Sequence, residues 1–234
     1  EQVQEPLPSS RSIFKGTFDI AMPSTIESVL IALIAAVDMI MVGSIGADAI
    51  ASVGITNQPK FIILAVILSL NIGVTVVVSH RRGEDDREAA NRCLSQAWMI
   101  SCMVSFILST LGFIFAKQVV TLAGATNEYV DMAATYFRSI MVGNFFYSMS
   151  LTINAAQKGA GNTKIAMKTN LTANIVNLIF NFLLINGIGF FPKLGVLGAG
   201  IATSLGNFVA FVMSVISISD SEGFLHIRLK QKWG

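Results

Sequence analysis

The chain has 234 residues, of which 53% are hydrophobic and only 13% charged, with a mean hydropathy of +0.66. A soluble domain carries roughly 25% charged residues, so the composition excludes an ordinary soluble enzyme and points to a polytopic membrane protein. The net charge of +2 and pI near 8.6 give no basis for nucleic-acid binding.

Read in order, residues 1–15 are polar and contain proline, which suits a cytoplasmic amino-terminal arm followed by an interfacial segment around Phe14 and Phe18. The chain opens on Glu without a signal-peptide pattern, as expected of an excerpt or a processed chain. A first apolar span is expected over residues 17–42, with Pro23 in its first turns or at a kink. Residues 43–54 are small and read as a turn, and a second span follows over 57–79 with Lys60 at its start. Residues 80–92, HRRGEDDREAANR, form the densely charged loop, in which Glu84 can pair with Arg87, or Glu88 with Arg92. A third span covers 90–115, and a short amphipathic piece over 117–125 leads to a long fourth span over 128–157. KGAGNTK, residues 158–164, lacks the GxxxxGK[ST] spacing of a phosphate loop and reads as a tight basic turn. Fifth and sixth spans cover 165–185 and 198–217. The fold class is therefore all-α, with six transmembrane helices in a lobe over 16–218 and a basic amphipathic linker or tail over 219–234.

Six spans put both ends on one side. The arm, the loops near 80–92 and 158–168, and the tail hold Arg11, Lys15, Arg81, Arg82, Arg87, Arg92, Lys158, Lys164, Lys168, Arg228, Lys230 and Lys232. The opposite loops hold Lys117 and Lys193, with Lys60 nearby. Twelve basic residues against three place both termini in the cytoplasm by the positive-inside rule. Arg138 is left within the outer part of the fourth span.

The expensive residues are the polar ones inside the spans. Glu27 and Asp38 both lie in the first span, and an ionised carboxylate in hydrocarbon costs about 2.5–3.5 kcal/mol even on the lenient insertion scale. Eleven positions separate them, which returns to within about 20° of the same helix face. On the fifth span Asn170, Asn174, Asn177 and Asn181 fall at i, i+4, i+7 and i+11, within about 60° of one another. Isolated asparagines in membranes usually serve interhelical hydrogen bonding, worth about 0.6 kcal/mol each, but four in register suit a cavity lining. If the two helices face each other, Asp38 meets amide oxygens, the hard donors that a small cation such as Na⁺ accepts; the same carboxyl can instead carry a proton. The fourth span adds Asn144, Phe145, Tyr147 and Met149, which suit either a promiscuous pocket or plain packing. His80 and His226 have no partners at metal-ligand spacing, and no GxSxG elbow is present, so neither a metal centre nor an enzyme is indicated. Cys93 and Cys102, nine residues apart on one helix, are about 13 Å apart by rise and cannot bridge.

Five segments in this order carry a family resemblance: AMPSTIESVLIALIAAVDMIMVGSIGADAIASVG, SHRRGEDDREAANR, AAQKGAGNTKIAM, NIVNLIFNFLLING and LGVLGAGIATSLGN. Together they resemble the amino-terminal lobe of the multidrug and toxic compound extrusion (MATE) transporters. The V-D-x-x-x-V-G end of the first span and the K-G-A-G-N-T turn are its most specific parts. The resemblance implies a twelve-helix protein of two six-helix lobes that exports amphiphilic or cationic small molecules by alternating access in the cell membrane. Export would run against H⁺ or Na⁺ as coupling ion, with no other cofactor. It also implies that Asp38 is the coupling carboxylate, with Asn177 beside it as a Na⁺ or proton partner and Thr203 in the same pocket. Asn181 stands where many members have a second acid, which removes one negative charge. A second six-helix lobe is required, either in a longer chain or from a homodimer. A lipid-linked oligosaccharide flippase of the wider superfamily and a non-transporting membrane scaffold are the competing expectations.

Overall fold

The computed structural model describes residues 10–219 and 223–225; the side chains of some residues between 10 and 31, Glu27 among them, lie outside the description. The described residues form seven α-helices: α1 (Ser10–Gly43), α2 (Ala47–Gly83), α3 (Arg87–Ile114), α4 (Ala116–Leu122), α5 (Val130–Gly159), α6 (Thr163–Asn186) and α7 (Val196–Ser219). All except the seven-residue α4 have at least 24 residues. At about 1.5 Å per residue, 24 residues reach ~36 Å, enough to cross a hydrocarbon layer of ~30 Å. They match the six expected spans in order, with α4 as the amphipathic piece between the third and fourth. Helices suit this setting because each satisfies its own backbone hydrogen bonds where water is missing.

The bundle is built around α5, which packs against α7, α2, α3 and α4, while α6 lies between α7 and α1. Phe137, Ile140 and Met141 of α5 anchor one apolar core with Val42, Val120 and Ile185. Ile153 and Ala156 anchor a second with Val74, Val78, Leu94 and Ile218. Small polar groups join the helices between them: Ser101 and Thr152 hydroxyls lie 2.6 Å apart, Thr152 donates to Asn71 Oδ1 at 3.0 Å, and Ser150 and Ser214 lie 2.7 Å apart. Residues of this size allow close helix approach while satisfying their hydroxyls across the interface.

Three local expectations are corrected. The segment over 43–54, expected as a turn, is mostly helix: only Ser44–Gly46 reverses the chain, and α2 starts at Ala47. Gly46 supplies that reversal at φ 146°, a backbone state open mainly to glycine, and Asp48 stands in the first turn of α2, where a negative charge complements the helix end. Lys60 is therefore thirteen residues into a helix that continues past Pro59, about 20 Å from its start. It belongs to a span, and the loops opposite the basic side retain Lys117 and Lys193. Residues 10–15, expected in the arm, are helical. Glu84 pairs with Arg81 at 2.8 Å and with His80 at 3.5 Å instead of with Arg87. The reason is that α2 extends to Gly83, placing both partners one turn before Glu84, while Asp85 at φ 56° turns the chain away.

Arg87 instead donates to the carbonyls of Gly223 and Phe224, and the Arg82 guanidinium lies 4.2 Å from the centre of the Phe224 ring. Leu225, 1% exposed, inserts into the second core. Other tail residues beyond 219, including Arg228, Lys230 and Lys232, lie outside the described residues. Leu225→Ala removes a fully buried side chain and is expected to cost about 2–5 kcal/mol, seen as a lower unfolding midpoint in detergent; an unchanged midpoint contradicts the packing.

Candidate functional site

Asp38 lies five residues before the end of α1, and Asn181 five before the end of α6, so the two side chains stand at similar depth. Asn181, 2% exposed, donates from Nδ2 to Asp38 Oδ1 at 2.8 Å. Asn177 is one turn deeper on the same face. With its nitrogen toward the carboxylate, it donates to Asp38 Oδ2 at 2.9 Å, and its oxygen accepts from Thr203 Oγ1 at 3.1 Å and Thr203 N at 3.0 Å. This orientation is the one an ionised carboxylate demands, since the opposite one sets an amide oxygen against it. The carboxylate on α1 is thus held by two amides of α6, one of them braced by α7. The Asn181 Oδ1 atom is buried without a hydrogen-bond donor among the described residues.

A closely packed backbone makes this meeting possible. A Cβ added to Gly206 of α7 would lie 2.6 Å from Ala173 O and 3.1 Å from Asn177 Cβ on α6. Only glycine at 206 lets α7 approach near enough for Thr203 to reach Asn177.

A cavity of about 350 Å³ opens beside these groups, lined by Asp38, Asn174, Asn177 and Thr203 together with Lys60, Tyr136, Asn144, Tyr147 and Asn207. Asn144 and Tyr147, three residues apart on α5, reach it; Phe145 and Met149 do not. Phe145 lies in a separate aromatic groove with Phe106, Phe113 and Phe146, and Met149 is 3% exposed in helix packing. The helical phase explains the division, because one residue turns the helix by about 100° and carries 145 and 149 away from the cavity face. Asn170, the shallow end of the asparagine stripe, lines another cleft with Asn71, Asn154 and Lys158. Arg138 is exposed and lines none of these three spaces. The side chain of Glu27, expected on the same face as Asp38, lies outside the described residues.

Lys60 is the functional candidate that sequence reasoning missed. It shares the cavity with Asp38 and attracts it electrostatically, yet the ion pairs within 4.0 Å among the described residues are His80–Glu84, Arg81–Glu84 and Lys117–Asp131. The signal available was a lone cation in an otherwise uncharged apolar run, set aside because α2 was expected to begin ten residues later. Tyr136 and Asn207 were also missed; each is a single polar residue with no periodic companion. Among the described residues no three His, Cys, Asp or Glu side chains converge as a metal cluster, and Cys93 and Cys102 are free thiols.

A family model, MatE, matches residues 23–183. The protein named "Probable multidrug resistance protein NorM" from Thermotoga maritima is 26% identical over 197 residues, covering 84% of this chain and 42% of that protein. The FAD transporter of Shewanella oneidensis is 27% identical over 205 residues, covering 88% of this chain and 45% of that one. Among solved structures, a crystal structure of MATE in the bent conformation superposes with a TM-score of 0.84 at 22% identity, covering 94% of this chain and 48% of that one. The chain spans about half the length of the curated relatives it matches.

Proposed function

Because the chain belongs to the MatE family of multi-pass membrane transporters, we propose that it forms one lobe of an exporter of amphiphilic or cationic small molecules, coupled to H⁺ or Na⁺ entry through Asp38. The observation that carries this is the carboxylate itself, held inside a span by Asn181 at 2.8 Å and Asn177 at 2.9 Å, at the wall of a cavity of about 350 Å³. A charge so costly in hydrocarbon persists where a polar cavity and specific donors receive it. Relatives named for multidrug resistance and for FAD transport are consistent with an amphiphilic small molecule as cargo.

Asp38 works as an exchange point. Ionised, it accepts from both amides and attracts a cationic substrate from the cavity. Filled by a proton, or by Na⁺ coordinated with the free Asn181 Oδ1, it no longer offers that charge, and the substrate is released. The Asn177 amide can follow the change. Reversed, its nitrogen reaches Thr203 Oγ1 at 3.1 Å and its oxygen turns to the carboxyl, an arrangement that a protonated Asp38 satisfies by donating its own hydrogen. Ion binding on α1 is thereby linked to the α6–α7 pair. Alternating access places the cavity between two lobes, so a second lobe, in a longer chain or in a homodimer, completes the transporter.

The test is dye efflux from proteoliposomes that contain this chain with a second lobe. An imposed inward H⁺ or Na⁺ gradient is expected to drive efflux that stops when an ionophore collapses the gradient. Efflux that continues unchanged after collapse contradicts coupling.

A further inference from the structure

The cavity holds two opposite charges, and they are unequally satisfied. Asp38 already has two amide donors. Lys60, half-buried on α2, has neither a hydrogen-bond acceptor nor a carboxylate within 4.0 Å among the described residues. An ammonium inside a span is costly and usually has a partner or a role in the substrate path. Chain geometry also separates the two charges by depth. Asp38 lies about 8 Å from the end of α1 and Lys60 about 20 Å from the start of α2, and these two helix ends meet at the Ser44–Gly46 turn. Along the bundle axis the charges are therefore offset by on the order of 10 Å.

We propose that Lys60 is a substrate-recognition group that binds a carboxylate or phosphate, so that this lobe prefers zwitterionic amphiphiles, with their cationic end at Asp38 and their anionic end at Lys60. The assignment rests on the exporter role of the cavity and names its cargo more closely. It agrees with exchange at Asp38, because filling that carboxylate with a proton or Na⁺ releases the cationic end. A purely anionic cargo fits less well: an ion arriving at Asp38 would make the cavity more positive and hold such a cargo tighter. The other polar residues lining the cavity, Tyr136, Asn144 and Tyr147 from α5, Asn174 and Asn177 from α6, and Thr203 and Asn207 from α7, include no Lys, Arg or His and leave Lys60 the one basic side chain there among the described residues.

The experiment is equilibrium binding to the purified protein, read by fluorescence anisotropy with two matched dyes: a rhodamine bearing a free carboxylate, and its methyl ester, which lacks only that negative charge. Wild type is expected to bind the carboxylate dye roughly 10-fold or more tighter than the ester, as a charge-assisted hydrogen bond implies. Lys60→Met should remove the preference without weakening the ester, and Lys60→Arg should keep most of it. Equal affinities in wild type, a preference that survives in Lys60→Met, or no binding of the carboxylate dye overturns the proposal. Binding is measured without a gradient, so a failure of ion coupling leaves this result independent.

Discussion

Asp38→Asn is expected to abolish gradient-driven efflux while the protein remains folded. The substitution is nearly isosteric: an asparagine at 38 can still accept from Asn181 through its one oxygen, now 2.8 Å away, and its amide nitrogen can donate to Asn177 once that side chain reverses so that its own nitrogen donates to Thr203 Oγ1 at 3.1 Å. It cannot ionise, so it neither attracts a cationic substrate nor exchanges it for a proton or Na⁺. Removal of an ionised carboxylate from a span also lessens the cost of holding charge there, so the unfolding midpoint should hold or rise. The measurement is efflux in proteoliposomes beside thermal unfolding in detergent. Unchanged coupled efflux would remove Asp38 from the mechanism, and a collapse in folding would make it a structural polar group.

Gly206→Val is expected to disable the site through helix packing, at a position that also borders the cavity. Its Cβ would lie 2.6 Å from the Ala173 carbonyl oxygen, a backbone atom that cannot swing away, so α7 must move off α6. Overpacking of this kind costs about 1–3 kcal/mol, and the displacement separates Thr203 from Asn177. Gly73, on α2, is the control: a Cβ there meets nothing within 4 Å, and Gly73→Ala should be neutral or stabilising by up to about 1 kcal/mol through helix propensity. Efflux and unfolding midpoints that respond alike to the two substitutions contradict the close-approach argument.

The parts of this site that were legible in the sequence were those whose cost in lipid is high and whose period is helical. Asp38 and the asparagine stripe stood out for that reason, and the structure brings Asp38, Asn177, Asn181 and Thr203 within hydrogen-bonding reach. Residue type could not show which face of α5 meets the cavity. Asn144 and Tyr147 reach it and Phe145 does not, although all three suit a pocket equally well by chemistry. Lys60 was obscured by a boundary: small residues over 43–54 suit a turn or a helix alike, and their being helical carries Lys60 from the membrane edge into the span. The role of Leu225 was also illegible, because its burial depends on the hairpin between α2 and α3, which is remote in sequence.

The central claim, that substrate and coupling ion compete for one carboxylate, is tested most directly by binding of a cationic dye to the purified protein across a range of pH and Na⁺ concentrations. Wild type is predicted to lose affinity as pH falls or as Na⁺ rises, because either ion removes the charge that attracts the dye. Asp38→Asn should bind more weakly and show no such dependence. A wild-type affinity insensitive to both ions, or an equal dependence in Asp38→Asn, contradicts the claim.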